Sequence, residues 1–394
     1  MTEPHREDEL PAAGPAAHLL AGAVCARRLS CVTALEVRGF RNLTPLSLTA
    51  GPGFHVISGD NGAGKSSLLE AIDYLARLES FRGARTEDLL QRGPNRVAVE
   101  QASLAMRVAG DVAPRTLRVQ LEAGRPRTLA LDGKKPRSIA QWHTAARVVL
   151  FHPGDVELPA GGPERRRAFL DRVLSQLDPT YASAAAAYDK ALRSRNRLLR
   201  AERPDRRAIT AFDELLASAG AVVGESRARL VGDLAPLAAS AFGEISGEGV
   251  TLAVRYRPRV EPGVNTLREA LTRSLDKDLA RGFTAEGPHA DELALTLEET
   301  LARRHASQGQ HRAIVLALKI AELRVLEAGT EYVPLLLLDD VSSELDRAKN
   351  RRLFGLLARH AGQVFLTTTH PDFILLETGE RWDYRMEEGR LRRE

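Results

Sequence analysis

Cysteine is nearly missing from this chain: Cys25 and Cys31 are the only two in 394 residues. That scarcity excludes a disulfide scaffold and any cysteine-built metal site. Aromatics make up only 5% of the sequence, so the core has to be assembled from Leu, Val, Ile and Ala. No stretch approaches the roughly 20 apolar residues that a membrane span requires, and no membrane partner is expected. The short apolar run in HLLAGAVCARRLSC follows the acidic segment MTEPHREDEL, where an export signal would be basic, so a cytoplasmic protein is expected. There is no zinc-finger spacing, no helix-turn-helix and little aromatic interleaving, which leaves phosphate and shape as the means of any nucleic-acid recognition.

With 43% hydrophobic and 27% charged residues and a formal net charge of +4, the chain has the composition of a mildly basic globular protein with room for more than one lobe. Residues 1–31, rich in Ala and Pro, are expected to be a disordered extension or the product of a misassigned start codon. After them TALEVRGFRNL and FHVIS have the alternation of strands. The second leads into GDNGAGKSSLLEAIDYLARL, in which Gly59, Gly64, Lys65 and Ser66 satisfy the P-loop spacing between a strand and a helix. Gly62 and Gly64 let backbone N–H groups turn inward around phosphates where a side chain would block them. Lys65 brings a point charge, and the Ser66 hydroxyl suits Mg²⁺. Gly59, Asp60, Asn61, Gly62, Ala63, Gly64, Lys65, Ser66 and Ser67 are thus the expected nucleotide-binding loop, with ATP and Mg²⁺ as cofactors.

Such a loop needs an acidic partner, and PLLLLDDVSSELD supplies one. Leu335 to Leu338 have the unbroken apolar character of a strand buried on both faces of a parallel sheet, expected beside the P-loop strand. Asp339 at its end would hold the metal, and Asp340 would orient or deprotonate an attacking water. A second phosphate-binding feature stands far along the chain, in SQGQHRAIVLALKIAE, where small polar residues run straight into a helix N-terminus. Ser307, Gly309 and Gln310 lie on the far side of a helix from the Asp339 strand. Two chains facing each other would let each supply this step to the nucleotide held by the other's Lys65.

Residues 97–131 alternate as antiparallel strands do, and from Pro163 to about Leu279 the pattern turns helical, with stops at Asp178-Pro179 and Pro204 that imply helices of modest length. Within that stretch KALRSRNRLLRAERPDRR, residues 190–207, has eight basic and two acidic residues, a net of +6. Arg193, Arg197 and Arg200 recur at helical spacing and can share one face, either as a solvated surface or as a phosphate contact. Arg165, Arg166 and Arg167 form a second basic cluster.

The P-loop, the distant S-x-G-Q step, the apolar strand ending in acids and the SELD turn resemble the ABC-type ATPase heads. Within these the chain resembles the family of RecF, the bacterial recombination mediator. RGFRNL (38–43), LFHPGDVEL (150–158), GGPERRRAFLD (161–171), LDPTY (177–181) and EGPHADEL (286–293) carry that resemblance through nearly the whole chain after residue 31. It implies an α/β fold in which an ABC-type head, residues 32–160 and 283–394, joins an α-helical lobe, residues 161–282. It also implies an ATP-dependent homodimer that binds DNA, through Arg193, Arg197 and Arg200, and helps RecO- and RecR-like partners load recombinase at gaps, with roles in replication and SOS induction. The family's ATPases are weak switches, and Asp340, one methylene shorter than the glutamate many ABC ATPases carry, implies slow hydrolysis. His370 stands where ABC ATPases often keep a histidine for the γ-phosphate, and Arg41 is either a further nucleotide contact or a salt-bridging arginine.

Two stretches depart from the family pattern: Ala290 and Glu292 stand in one that usually carries arginine, and FHP replaces FSP. An SMC-type chromosome ATPase with the same head is disfavoured because prolines interrupt any sustained heptad pattern. A transporter ATPase subunit fits the basic helical lobe less well than a DNA-binding protein does.

Overall fold

The computed structural model describes residues 28–92, 101–109, 114–247, 249–330, 332–341, 347–357, 362–371, 374 and 380–394. The SELD turn, most of the expected N-terminal tail and the start of the 97–131 stretch lie outside the described residues.

The first strands run β1 (Arg28–Leu29), β2 (Val32–Arg38), β3 (Leu46–Thr49) and β4 (Gly53–Ser58), followed by helices α1 (Lys65–Arg77) and α2 (Thr86–Leu89). Then come β5 (Gln101–Val108), β6 (Arg115–Glu122), β7 (Thr128–Leu131), α3 (Ile139–His143) and β8 (Val148–Phe151). The helical stretch comprises α4 (Glu157–Ala160), α5 (Pro163–Leu177), α6 (Pro179–Leu199), α7 (Arg206–Thr210), α8 (Asp213–Ser246) and α9 (Val264–Arg281), with β9 (Leu252–Arg257) between the last two. The chain continues through β10 (Glu292–Leu297), β11 (Thr300–Leu301), α10 (Ala302–His305), α11 (Gln308–Gly329), β12 (Tyr332–Val333) and β13 (Leu335–Asp339). It closes with α12 (Arg347–Leu357), β14 (Gln363–Thr368), β15 (Arg381–Glu387) and β16 (Arg390–Arg393).

The central sheet has the order β16-β15-β4-β14-β13-β8, parallel except for the terminal β15–β16 hairpin. β8 and Leu335–Leu338 of β13 are apolar without interruption because both faces are covered. Leu335, Leu337 and Ile57 face one core with α1 and the antiparallel sheet β3-β2-β5-β6-β7. Leu336, Leu338 and Val56 face another, shared with α5, α8 and α11. Contrary to the expected adjacency, β13 does not lie beside the P-loop strand: β14 pairs with both and separates them. Strand order depends on pairings between distant segments, and nothing local in either sequence records it.

Three further expectations change. Residues 28–31 belong to the fold rather than to a tail, since β1 pairs with β12 and Cys31 is buried. The helical stretch contains a strand, β9, which pairs with β10 because its alternating Leu252 and Val254 complete a sheet edge. Finally, α8 runs for 34 residues straight through Pro236. A proline costs a helix one hydrogen bond, but from Val223 to Ile245 α8 buries one face in the core it shares with α11, and that packing outweighs the loss.

The segments that carry the family resemblance converge on Arg227 in the middle of α8. Its Nε and Nη2 donate to the Asp171 carboxylate at 2.8–3.0 Å, and its Nη1 donates to the Pro288 carbonyl at 2.7 Å and reaches Asp291 Oδ2 at 3.5 Å. Tyr181 also donates to Asp171, Tyr256 to Asp291, and Arg167 to the Asp291 carbonyl. GGPERRRAFLD, LDPTY and EGPHADEL thus meet at one buried guanidinium. Removing one member of such a group strands the others in a desolvated site. Arg227→Met is expected to lose about 3 kcal/mol of unfolding free energy in urea titrations, and combining it with Asp171→Asn should cost less than the sum of the two single changes.

Candidate functional site

Parallel strands deliver their C-terminal ends to one edge of the sheet, the usual place for a ligand in an α/β fold. Here that edge carries the loop after Ser58, Asp339 at the end of β13 with Asp340 after it, and the Thr367–Thr368 step at the end of β14, with Thr367 registered opposite both Ile57 and Asp339. The loop turns through Gly59 (φ +149), Gly62 (φ +82) and Gly64 (φ +113), values that favour glycine. A Cβ on Gly59 would meet the Met386 carbonyl oxygen at 2.3 Å, whereas one on Gly62 would meet nothing within 4 Å. The loop is therefore closed against β15 on one side and open to the cleft on the other.

Lys65 is buried at the start of α1, and its Nζ donates to the carbonyls of Gly59 (2.6 Å) and Asp60 (2.9 Å). Burial holds its pKa below the usual lysine value, with Asp340, Asp339 and Asp60 pulling the other way. Asp339 is buried and accepts a hydrogen bond from Thr367 Oγ1 at 2.8 Å, while the same hydroxyl oxygen accepts from the Asp340 backbone N–H at 3.0 Å. Thr367 thereby fixes the Asp339 carboxylate and the Asp340 backbone. Asp340 takes a left-handed conformation (φ +49), which an aspartate tolerates better than most residues.

Lys65, Ser66, Ser67, Asn61, Gly62, Gly64 and Asp340 line one cleft together with Arg41, Asn42, Arg82 and Arg92. Its donor set fits a polyphosphate bound with a divalent cation: turned-in backbone amides, a lysine, a serine hydroxyl and nearby carboxylates. Among the described residues no three His, Cys, Asp or Glu side chains cluster as a cage of their own, so a cation here would share phosphate oxygens, as Mg²⁺ characteristically does. Arg41 pairs with Glu70 through two hydrogen bonds of 2.9 and 2.8 Å at the cleft wall. His370 is exposed beyond β14, its backbone N–H bonded to Thr368 Oγ1, and does not line the cleft.

Neither does any residue of 307–312. Ser307 caps α11: its Oγ accepts from the Gln310 N–H (3.2 Å), and the Gln310 side chain accepts from the Ser307 N–H (2.9 Å). Gln308 and Arg312 line a different, largely apolar pocket with Phe151, Val315 and Val341.

The basic helix divides. Arg193, Arg197 and Arg200 are all exposed, Arg193 paired with Asp189, but Arg195 from the same run is fully buried. Nor does the second cluster present a common surface, since Arg166 is buried in a bidentate pair with Glu292 (2.7 and 2.9 Å) and Arg167 bonds the Asp291 carbonyl. Glu292, in one of the two stretches that depart from the family pattern, thus has a specific partner.

Sequence reasoning overlooked three supports of the loop. Asn42 donates to the Gly62 carbonyl and accepts from Ser67 Oγ, both at 2.8 Å. Gly389 (φ +78), at the turn of the β15–β16 hairpin, donates to the Ala63 carbonyl at 2.8 Å, and a Cβ there would meet the Asn42 carbonyl oxygen at 2.0 Å. Thr367 is the third. The glycine in EEGR and the polar end of VFLTTT were the available signals.

A family model described as the RecF/RecN/SMC N-terminal domain matches residues 31–381. A DNA replication and repair protein RecF from Myxococcus xanthus is 42% identical over 86% of this chain and 91% of its own length. Another, from Anaeromyxobacter sp. (strain Fw109-5), is 43% identical over 90% of this chain and 97% of its own. The chain belongs to the RecF family. A solved structure described as the recombination mediator protein RecF-ATP in the RecFOR pathway superposes with a TM-score of 0.85 at 29% identity, covering 94% of this chain and all of that one. An Smc head domain from Pyrococcus furiosus, at a TM-score of 0.56 and 16% identity, shares the fold.

The departure at His152 has a measurable consequence. His152 Nδ1 accepts from the Gly154 N–H, and burial pushes its pKa down to about 4. Between pH 6.5 and 4 the unfolded chain therefore binds a proton at this position that the folded chain refuses, so stability falls as pH falls through that window. His152→Ser keeps a capping oxygen and removes the titration. It should lose less stability than the wild type when urea midpoints are compared at pH 6.5 and pH 4.5.

Proposed function

We propose that this chain is an ATP-dependent DNA-binding switch of recombinational repair, working in the cytoplasm as a homodimer formed around bound nucleotide. The observation that carries the reading is the separation of its two phosphate-binding features. The cleft that gathers Lys65, Ser66 and Asp340 contains no residue of the Ser307 step. A second copy facing the first would supply Ser307, Gly309 and Gln310 to complete the site.

In this reading Asp60, Asn61 and Ala63 with the three loop glycines direct backbone amides at the phosphates, and Lys65 leaves its carbonyl partners to meet the β- and γ-phosphates. Ser66 and Asp339 hold Mg²⁺, and Ser67 braces the loop through Asn42. ATP, when bound, supplies the charge that draws two copies together and whose loss releases them. Asp340 positions the attacking water and accepts its proton, and His370 approaches the γ-phosphate as the pair closes. Its short side chain, pinned through its backbone to Thr367, gives Asp340 little reach towards that water, so hydrolysis is slow and times the dimer rather than driving metabolism.

Arg193, Arg197 and Arg200 form the DNA contact, reading phosphate and shape. The named relatives, DNA replication and repair proteins and a mediator of the RecFOR pathway, support a role in which the DNA-bound dimer recruits RecO- and RecR-like loaders at gaps, with effects on replication and SOS induction.

Light scattering with ATP and Mg²⁺ tests the trans-completed site. The wild-type mass should double, while Ser307→Arg should bind a fluorescent ATP analogue normally and remain monomeric. Lys65→Ala should lose roughly tenfold or more in nucleotide affinity. A mass indifferent to ATP, or equal loss of nucleotide in both variants, would overturn the model. Turnover should fall well below the ~10 s⁻¹ typical of enzymes, and a value at or above it would rule out a slow switch.

A further inference from the structure

The C-terminal ends of α6 and α9 meet in the helical lobe. Gly282 (φ +74) caps α9, and the residues after it are pinned to the last turns of α6. Arg200 Nε donates to the Gly282 carbonyl at 3.2 Å, and Asn196 Oδ1 accepts from both the backbone N–H and the hydroxyl of Thr284 at 2.8 Å. Gly282 and Thr284 are thus tied one helical turn apart on α6, with Phe283 between them. The interior at this point belongs to Arg195, which is held by Asp213 (2.9 Å), Asp278 (2.8 Å) and Thr284 Oγ1 (2.8 Å). Phe283 instead stands in solvent at 45% exposure, the only aromatic among the exposed large hydrophobic residues described.

Three arginines belong to the helix ends that carry it. Arg197 and Arg200 lie on the α6 face to which the segment is tied, and Arg281 stands two residues before Phe283; all three are exposed. Among the described residues none of the three is in an ion pair. An aromatic ring presented amid unpaired guanidinium groups has the two properties that single-stranded nucleic acid requires, a π-face for a base and cations for the flanking phosphates. In an intact duplex the base faces are hidden in the stack, so only an unpaired base can cover the ring.

We propose that Phe283 is a stacking platform for an unpaired base where duplex DNA gives way to single strand, with Arg197, Arg200 and Arg281 on the adjoining phosphates. This rests on the reading above of a protein that acts at DNA gaps and assigns the contact with the unpaired base to one residue. The test uses fluorescence anisotropy of the full chain with ATP and Mg²⁺ on a blunt duplex, a tailed duplex and a single strand, with 2-aminopurine as the first unpaired base of the tailed duplex. The wild type should prefer the tailed duplex and change the 2-aminopurine fluorescence on binding. Phe283→Ala should abolish that change and weaken tailed-duplex binding about tenfold, leaving blunt-duplex affinity and ATP binding unchanged, whereas Phe283→Trp should retain the wild-type behaviour. If Phe283→Ala keeps the fluorescence change, or weakens blunt and tailed DNA equally, the stacking inference fails and the DNA reading stands. If the wild type binds none of the three DNAs, both fail.

Discussion

The buried guanidinium of Arg227 is the constraint around which the helical lobe is organised. One side chain satisfies a carboxylate on α5, a carbonyl in the Gly287–Ala290 turn and a carboxylate at the start of β10. Desolvating a charge is expensive unless its partners are already in place, so the arrangement tolerates one relative position of these segments. Burial pushes the Asp291 carboxyl up from its ordinary value, and Tyr256, the Arg259 backbone and Arg227 hold it down. Because α8 also packs along α11, the network sets where the Ser307 cap stands relative to the central sheet.

The sheet edge is organised differently, by short polar ties rather than by buried charge. Asn42, Thr367 and Gly389 each bridge two parts of the phosphate loop and its acidic neighbours without presenting a reactive group themselves. Such ties hold the loop in shape without ligand, and the Lys65 ammonium waits on loop carbonyls that it can exchange for phosphate oxygens. The wall opposite is basic, with Arg41 fixed by Glu70 and Arg82 and Arg92 alongside. The cleft therefore attracts an anion.

What the sequence made legible was local. The P-loop, the helix start at Ser307 and the buried strand ending in Asp339 each follow from residues within a few positions of one another. Features that depend on distant partners were hidden. Nothing in LLLLDD indicates that β14 will lie between it and the P-loop strand. Nothing in RSRNR distinguishes Arg195, which finds Asp213 and Asp278 in the interior, from Arg193 and Arg197, which stay in water. Pro204 marked a helix boundary correctly, yet Pro236 sits within α8, because the packing of a long buried helix outweighs one missing hydrogen bond. Nothing in the Arg165–Arg167 run shows that Arg166 pairs with Glu292 across 126 positions.

The topology of β4 also bears on how the protein reaches this state. Both neighbours of that strand, β14 and β15, come from the far end of the sequence, and Gln363 bonds the Gly51 carbonyl at a separation of 312 positions. Contacts of such separation pay a large loop-closure entropy before they return any stabilisation, and they form slowly. The local helices α6, α8 and α9 can be in place well before the central sheet closes. The phosphate loop, the most conspicuous motif in the chain, is thus among the last parts to acquire its shape, and a partly folded molecule would have a formed basic lobe while its nucleotide site was still open.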